Sequence, residues 1–156
     1  VKHLKLAEAL LERKSTKEQI SDLEERLTRN VKVQEGDAPV EKPEELLVRI
    51  NNLVDRLEKL IVLINRTNMR ATMADGSTVM EAIAKRDMLK LRHGILEAAA
   101  EAAAITHNRF SRSEIKFQVT IDMELLQQEI DNVARAYREL DTAIQAVNWL
   151  TDCVEV

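Results

Sequence analysis

His93 and Glu97 stand four residues apart in this chain of 156 residues. That spacing puts an imidazole and a carboxylate on one helix face, where the two could share a divalent metal. Asp87, or a carboxylate from another helix, would complete the site, and the alternative for the same residues is a solvated His–Glu pair. A di-iron bundle carries a Glu-x-x-His on each of two helices. That pattern is absent, since Lys90 stands three residues before His93 and Ala104 three before His107. Arg109 and Arg112 flank Phe110 in Asn108-Arg109-Phe110-Ser111-Arg112-Ser113, two cations with one aromatic. They are the candidate contacts for a phosphate or other small anion, with a solvated basic loop as the alternative. No residue is assigned a catalytic role. Cys153 has no neighbouring His, and a cysteine in a terminal helix is usually a small hydrophobe. No G-x-S-x-G, Walker or Rossmann glycine pattern occurs, so the sequence leans away from an enzyme.

Four long helices must position these residues. Leu46, Ile50, Leu53, Leu57, Leu60 and Ile64 repeat at 4-3-4-3-4 spacing, flanked by Leu47, Val54 and Ile61 at intervals of seven. The flanking series widens the apolar stripe, which suits a bundle helix touching two neighbours. Pro43 fits the first helical position and Glu44 and Glu45 the positive end of the dipole, so this helix runs from about 43 to 68. Leu126, Ile130, Val133, Tyr137, Leu140, Ile144 and Val147 repeat the pattern behind Asp122, a natural N-cap. Between them Thr78-Val79-Met80-Glu81 has capping-box form and precedes Ile83, Met88, Leu91, Ile95, Ala98, Ala102 and Ile105 at helical spacing. The first helix has apolar ends, Leu4 to Leu11 and Ile20 to Val31, around a polar middle that places Arg13 and Thr16 on its seam. That middle is either an exposed stretch or a buried polar layer that fixes register.

The connections alternate like strands. Val31-Lys32-Val33-Gln34 does so briefly, Ile115, Phe117, Val119 and Ile121 do so strictly, and Met69–Met73 before Asp75-Gly76 resembles one arm of a hairpin. The expected fold is therefore all-α: one domain over 1–156, an antiparallel bundle of four long helices with short β segments in the connections. In an up-down-up-down bundle the first and third connections lie at one end and can pair. The second lies roughly 42 Å away along helix three. Its hairpin could reach only a partner's ladder, so the chain is expected to be a homo-oligomer, joined through helix faces and connection strands.

Composition sets the outer limits. Hydrophobic residues make up 45% and charged residues 32%, with three Gly, two Pro and few aromatics, which excludes an all-β fold and disorder. One cysteine rules out an internal disulfide and suits a reducing compartment. A net charge of −4 argues against nucleic acid as a partner. No apolar run reaches the roughly 20 residues of a membrane span, and Val1 to Leu6 lacks a signal-peptide core, so a cytoplasmic protein is expected.

Several stretches together resemble the septicolysin-like family of small, uncharacterised, all-helical bacterial proteins. They are Leu6-Ala7-Glu8-Ala9-Leu10, Val33-Gln34-Glu35-Gly36-Asp37, Ile64-Asn65-Arg66-Thr67-Asn68, Asp75-Gly76 with Arg86-Asp87, Ser111-Arg112-Ser113-Glu114-Ile115, and Tyr137-Arg138-Glu139-Leu140-Asp141 with Asn148-Trp149. The resemblance implies a pore-forming cytolysin. The residues themselves give an interaction or scaffolding protein first, and a protein binding a divalent metal or small anion as the alternative.

Overall fold

The computed structural model describes residues 4–104 and 117–154. They form four helices: α1 (Leu6–Asn30), α2 (Pro43–Arg70), α3 (Val79–Ala103) and α4 (Met123–Leu150). The chain divides into two compact units, one of residues 1–79 with 145–156 and one of residues 80–144.

In the first unit α1 and α2 pack as an antiparallel pair. Each presents one row at heptad spacing. On α2 one row of buried and half-buried positions is Leu46, Ile50, Leu53, Leu57, Leu60, Ile64 and Thr67, the row that the spacing predicts, extended by one turn. On α1 the corresponding row is Leu6, Ala9, Arg13, Thr16, Ile20, Leu23 and Leu27, with Ala7 also buried beside it. The polar middle thus lies on the seam: Thr16 is only 2% exposed. Its hydroxyl donates to the Glu12 carbonyl at 2.8 Å, so it is satisfied by its own helix. Two ion pairs fix the antiparallel alignment along the hairpin. Arg56 of α2 binds Glu12, and Arg26 of α1 binds Glu41 just before α2, with Nε to Oε2 at 2.9 Å.

Residues 4–6 and 151–154 close over this pair. Leu6 N–H donates to the Thr151 carbonyl at 2.9 Å and Cys153 N–H to the Leu4 carbonyl at 2.8 Å. Lys5 faces Asp152 in an isolated antiparallel bridge, with an ion pair at 2.8 Å. Beneath them Leu6, Ala9, Ile64 and Cys153 form a core cluster, against which Leu4, Leu10 and Leu63 pack. Thr67 is fully buried, donates to the Leu63 carbonyl at 2.8 Å and accepts the Val154 N–H at 3.1 Å, which anchors the C-terminal segment to α2.

The β segments are corrected. Among the described residues there is no strand, only the bridges Lys5–Asp152 and Thr72–Thr78. Val31–Gln34 is exposed and carries no bridge; the connection is instead tied at its ends, where Asn30 accepts the Glu41 N–H at 3.0 Å and donates to the Arg26 carbonyl at 2.8 Å. Phe117–Ile121 is exposed and carries no bridge, and Ile115 lies outside the described residues. The Asp75-Gly76 turn does form, with Gly76 at φ 84°. It closes on the residues that follow rather than on another ladder: Met73 N–H donates to the Ser77 carbonyl at 2.8 Å and Val79 N–H to the Ala71 carbonyl at 2.9 Å. With its backbone groups paired locally, this hairpin gives no reason for a partner subunit.

In the second unit α4 begins as the sequence predicts, the Asp122 carboxylate accepting the N–H groups of Glu124 at 2.9 Å and Leu125 at 3.1 Å. Its buried and half-buried positions up to residue 144 include Leu126, Ile130, Val133, Tyr137, Leu140 and Ile144, again the expected row. On α3 the expectation fails. Ile83 is half-buried, but Met88, Leu91 and Ile95 are exposed, and the inner row is Ala82, Arg86, Leu89, His93, Leu96, Ala100 and Ala103.

Two measurements check this fold. Ile64 is 1% exposed, so Ile64→Ala should cost roughly 2–5 kcal/mol in urea denaturation. Leu11→Ala, at an exposed site of α1, should stay within about 0.5 kcal/mol. The Arg26 guanidinium holds the Glu41 carboxyl below its ordinary value of 4.5. The ion pair therefore contributes stability above the unfolded pKa, and that contribution is lost as pH falls through the lower folded value. Glu41→Gln should show a smaller fall in urea midpoint than the parent as pH drops from the ordinary carboxylate range through the lower value of the folded Glu41.

Candidate functional site

α3 carries every described residue that the sequence singles out for metal binding, and it has two apolar sides. Its inner row, Ala82 to Ala103, repeats at 4-3-4-3-4-3 spacing and holds two polar members, Arg86 and His93. The outer row, Ala84, Met88, Leu91, Ile95, Ala98 and Ala102, repeats at 4-3-4-3-4 and is exposed throughout. By the 3.6-residue turn the two rows lie roughly 160° apart. Met88, Leu91 and Ile95 are 58%, 57% and 61% exposed.

The polar members of the inner row are held by carboxylates. Arg86 of α3 reaches Asp141 of α4 at 3.0 Å and Asp87, its chain neighbour, at 3.1 Å. Burial disfavours the guanidinium charge, but its hydrogen bonds to Asp87 and Asp141 more than offset this, and the Arg86 pKa is raised. His93 Nδ1 lies 3.4 Å from the Glu97 carboxylate, with the imidazole half-buried and Glu97 exposed. The structure thus brings His93 and Glu97 together. It does not bring Asp87 to them: Asp87 is turned to Arg86, on a face roughly 120° away around α3. Among the described residues no group of three or more His, Cys, Asp and Glu side chains could hold a metal ion. Arg109 and Arg112 lie outside the described residues.

Two further features of the first unit escape a reading by motif. An open groove of about 330 Å³ lies between α1 and α2, with Leu23 and Leu53 among its walls and Asp22, Arg26, Arg49 and Asn52 around them. Arg26 is already engaged by Glu41, and Asp22 sets a negative charge beside the cations, so the groove offers little net attraction to an anion. Cys153 is buried under the terminal clasp, where burial pushes its thiol pKa up, opposed by a hydrogen bond with Thr67. A raised pKa keeps the thiol protonated and poorly nucleophilic. The inner row of α3 has heptad spacing of its own in the sequence, but it includes Arg86 and His93, and the wholly apolar row through Met88, Leu91 and Ile95 obscured it.

Among the described residues no helix is long and apolar enough to cross a membrane. Comparison with curated proteins gives no match. The chain is similar over 97% of its length to a functionally unknown conserved protein from Corynebacterium diphtheriae, whose crystal structure superposes with a TM-score of 0.91 at 36% sequence identity and 99% coverage of that chain. Residues 13–153 match the model of a family of unknown function, DUF6847. Both findings overturn the septicolysin-like assignment, since neither the family match nor the structural neighbour points to it, and the motifs behind that resemblance lie mostly within the segment matched by the other family. With the match spanning most of the sequence, the chain belongs to DUF6847.

Proposed function

We propose that the protein works through helix-mediated self-association, as an interaction or scaffolding component with no chemistry of its own. The observation that carries this reading is the outer row of α3, large apolar side chains at heptad spacing left in water. Single exposed apolar residues are ordinary on protein surfaces, whereas a contiguous row marks a contact. Fully burying a Leu, Ile or Met side chain is worth roughly 1.5–3 kcal/mol, so covering this row is a sizeable driving force. The flank of α2 adds to it: Leu47, Val54 and Ile61, seven residues apart, are also exposed, as are Val48, Val62 and Met69. The wide stripe on α2 packs against α1 with its inner row, and its flank is exposed. The buried, protonated Cys153 suits a reducing, cytoplasmic setting, and the net charge of −4 favours protein over nucleic acid as the partner.

A second reading rests on the His93–Glu97 contact, a divalent metal held by these two side chains with water completing the shell. Metal analysis of protein purified without a histidine tag addresses it: stoichiometric zinc or iron lost in His93→Ala supports it, and metal-free protein removes it.

Self-association predicts a mass in solution that is a multiple of 17.8 kDa. Light scattering on protein eluting from a sizing column at micromolar concentration measures it. A mass of one chain across that range overturns the reading.

A further inference from the structure

We propose that the outer row of α3 is a seam on which α3 of a second copy lies parallel, the two related by a two-fold axis along the seam. The inference rests on the self-association reading and names its surface and orientation. Ala84, Met88, Leu91, Ile95, Ala98 and Ala102 occupy the a and d positions of an uninterrupted heptad pattern, Met88, Ile95 and Ala102 at a and Ala84, Leu91 and Ala98 at d. All six are exposed. Small residues at the ends and larger ones at the centre give a short contact, roughly 27 Å from Ala84 to Ala102 at 1.5 Å per residue. No atom lies within 4 Å of the place a Gly94 Cβ would occupy, so the flank of the seam is open.

The charges beside the row select the partner and its direction. Asp87, Gly94 and Glu101 line one edge at the g positions, and Lys85, Arg92 and Ala99 line the other at the e positions. In a parallel pair each g residue faces the e residue five positions later on the other helix. Asp87 then meets Arg92 of the second copy, and the two-fold axis makes that pair twice. In an antiparallel pair centred on the same row, Arg92 meets Arg92 and Asp87 meets Glu101, so like charges face one another on both edges. A seam that is complementary to itself in one direction and repulsive in the other fits a second copy of this chain. Asp87 and Arg92 are both exposed, and Arg86 engages Asp87 through Oδ1, so Arg92 of the second copy can be met by Oδ2 with the Arg86 contact kept.

Cross-linking tests the direction. In a Cys153→Ala background, Ala84→Cys and Ala102→Cys are oxidised separately and run on non-reducing gels, with Leu11→Cys on the exposed side of α1 as the collision control. The parallel seam predicts that each of the two α3 variants forms a disulfide dimer with itself, and that the control does not. Cross-linking only when Ala84→Cys is mixed with Ala102→Cys means an antiparallel contact and overturns the proposal, as does the absence of any cross-link above the control. Light scattering on the Cys153→Ala protein separates the two failures. An oligomeric mass without α3 cross-links removes the seam and keeps self-association, whereas a monomeric mass removes both. The charges are tested by exchange: Asp87→Arg or Arg92→Asp alone should weaken dimerisation roughly two- to tenfold, as expected for two exposed ion pairs, and Arg92→Asp does so with the Arg86–Asp87 contact left in place. The double exchange should restore it. Single variants without effect, or a double variant no better than either, would contradict the pairing.

Discussion

A long helix in water holds its shape by burying an apolar row, because propensity alone leaves even a good helical sequence marginal. Three of the four helices meet that requirement with one row each. α1 and α2 bury theirs against each other, and α4 buries Leu126, Ile130, Val133 and Ile144. α3 is different. Its inner row mixes Leu89 and Leu96 with Ala82, Arg86 and His93, while Met88, Leu91 and Ile95 project outward. That division, a second and wholly apolar row left in water, is the constraint from which the functional reading follows. The charges on the inner row show the same economy: Arg86 lies there because Asp87 and Asp141 both engage it.

The first unit has its own organising contact. Thr67 sits where α2, the C-terminal segment and the buried Cys153 meet, with its hydroxyl donating to its own helix and accepting the Val154 N–H. Thr16 does the same kind of work on α1, bonding back to Glu12. In both cases a side chain on the seam satisfies its hydroxyl within one turn, so a polar residue is buried without an unpaired group. The segments around Lys5 and Asp152 exchange backbone hydrogen bonds with each other.

Helix identity was legible from the sequence because heptad spacing is a local signal: the rows of α2 and α4, the Asp122 cap and the Asp75-Gly76 turn all stand where spacing and turn chemistry put them. Which face of α3 points inward was not legible. Both rows have the same period, and the wholly apolar one, without Arg86 and His93, is the one left outside. The strand expectations failed because alternation over four to seven residues says nothing about a partner, and Val31–Gln34 and Phe117–Ile121 find none. Of the metal candidates, His93 and Glu97 do meet, as any half-buried His with a Glu one turn on can; Asp87 was drawn away by Arg86, a neighbour whose charge outweighs a spacing argument.

Membership of DUF6847, and the close structural likeness to a functionally unknown conserved protein of Corynebacterium diphtheriae, give the chain a family without an activity. The account therefore stands on whether the outer row of α3 is covered in solution. Methionine oxidation by dilute peroxide, read site by site by mass spectrometry, reports this directly. In the single chain Met88 is 58% exposed and Met123 39%. Coverage of the α3 row predicts that Met88 oxidises more slowly than Met123 at micromolar protein, and that its protection fades on dilution. Oxidation of Met88 faster than Met123 at every concentration would contradict it.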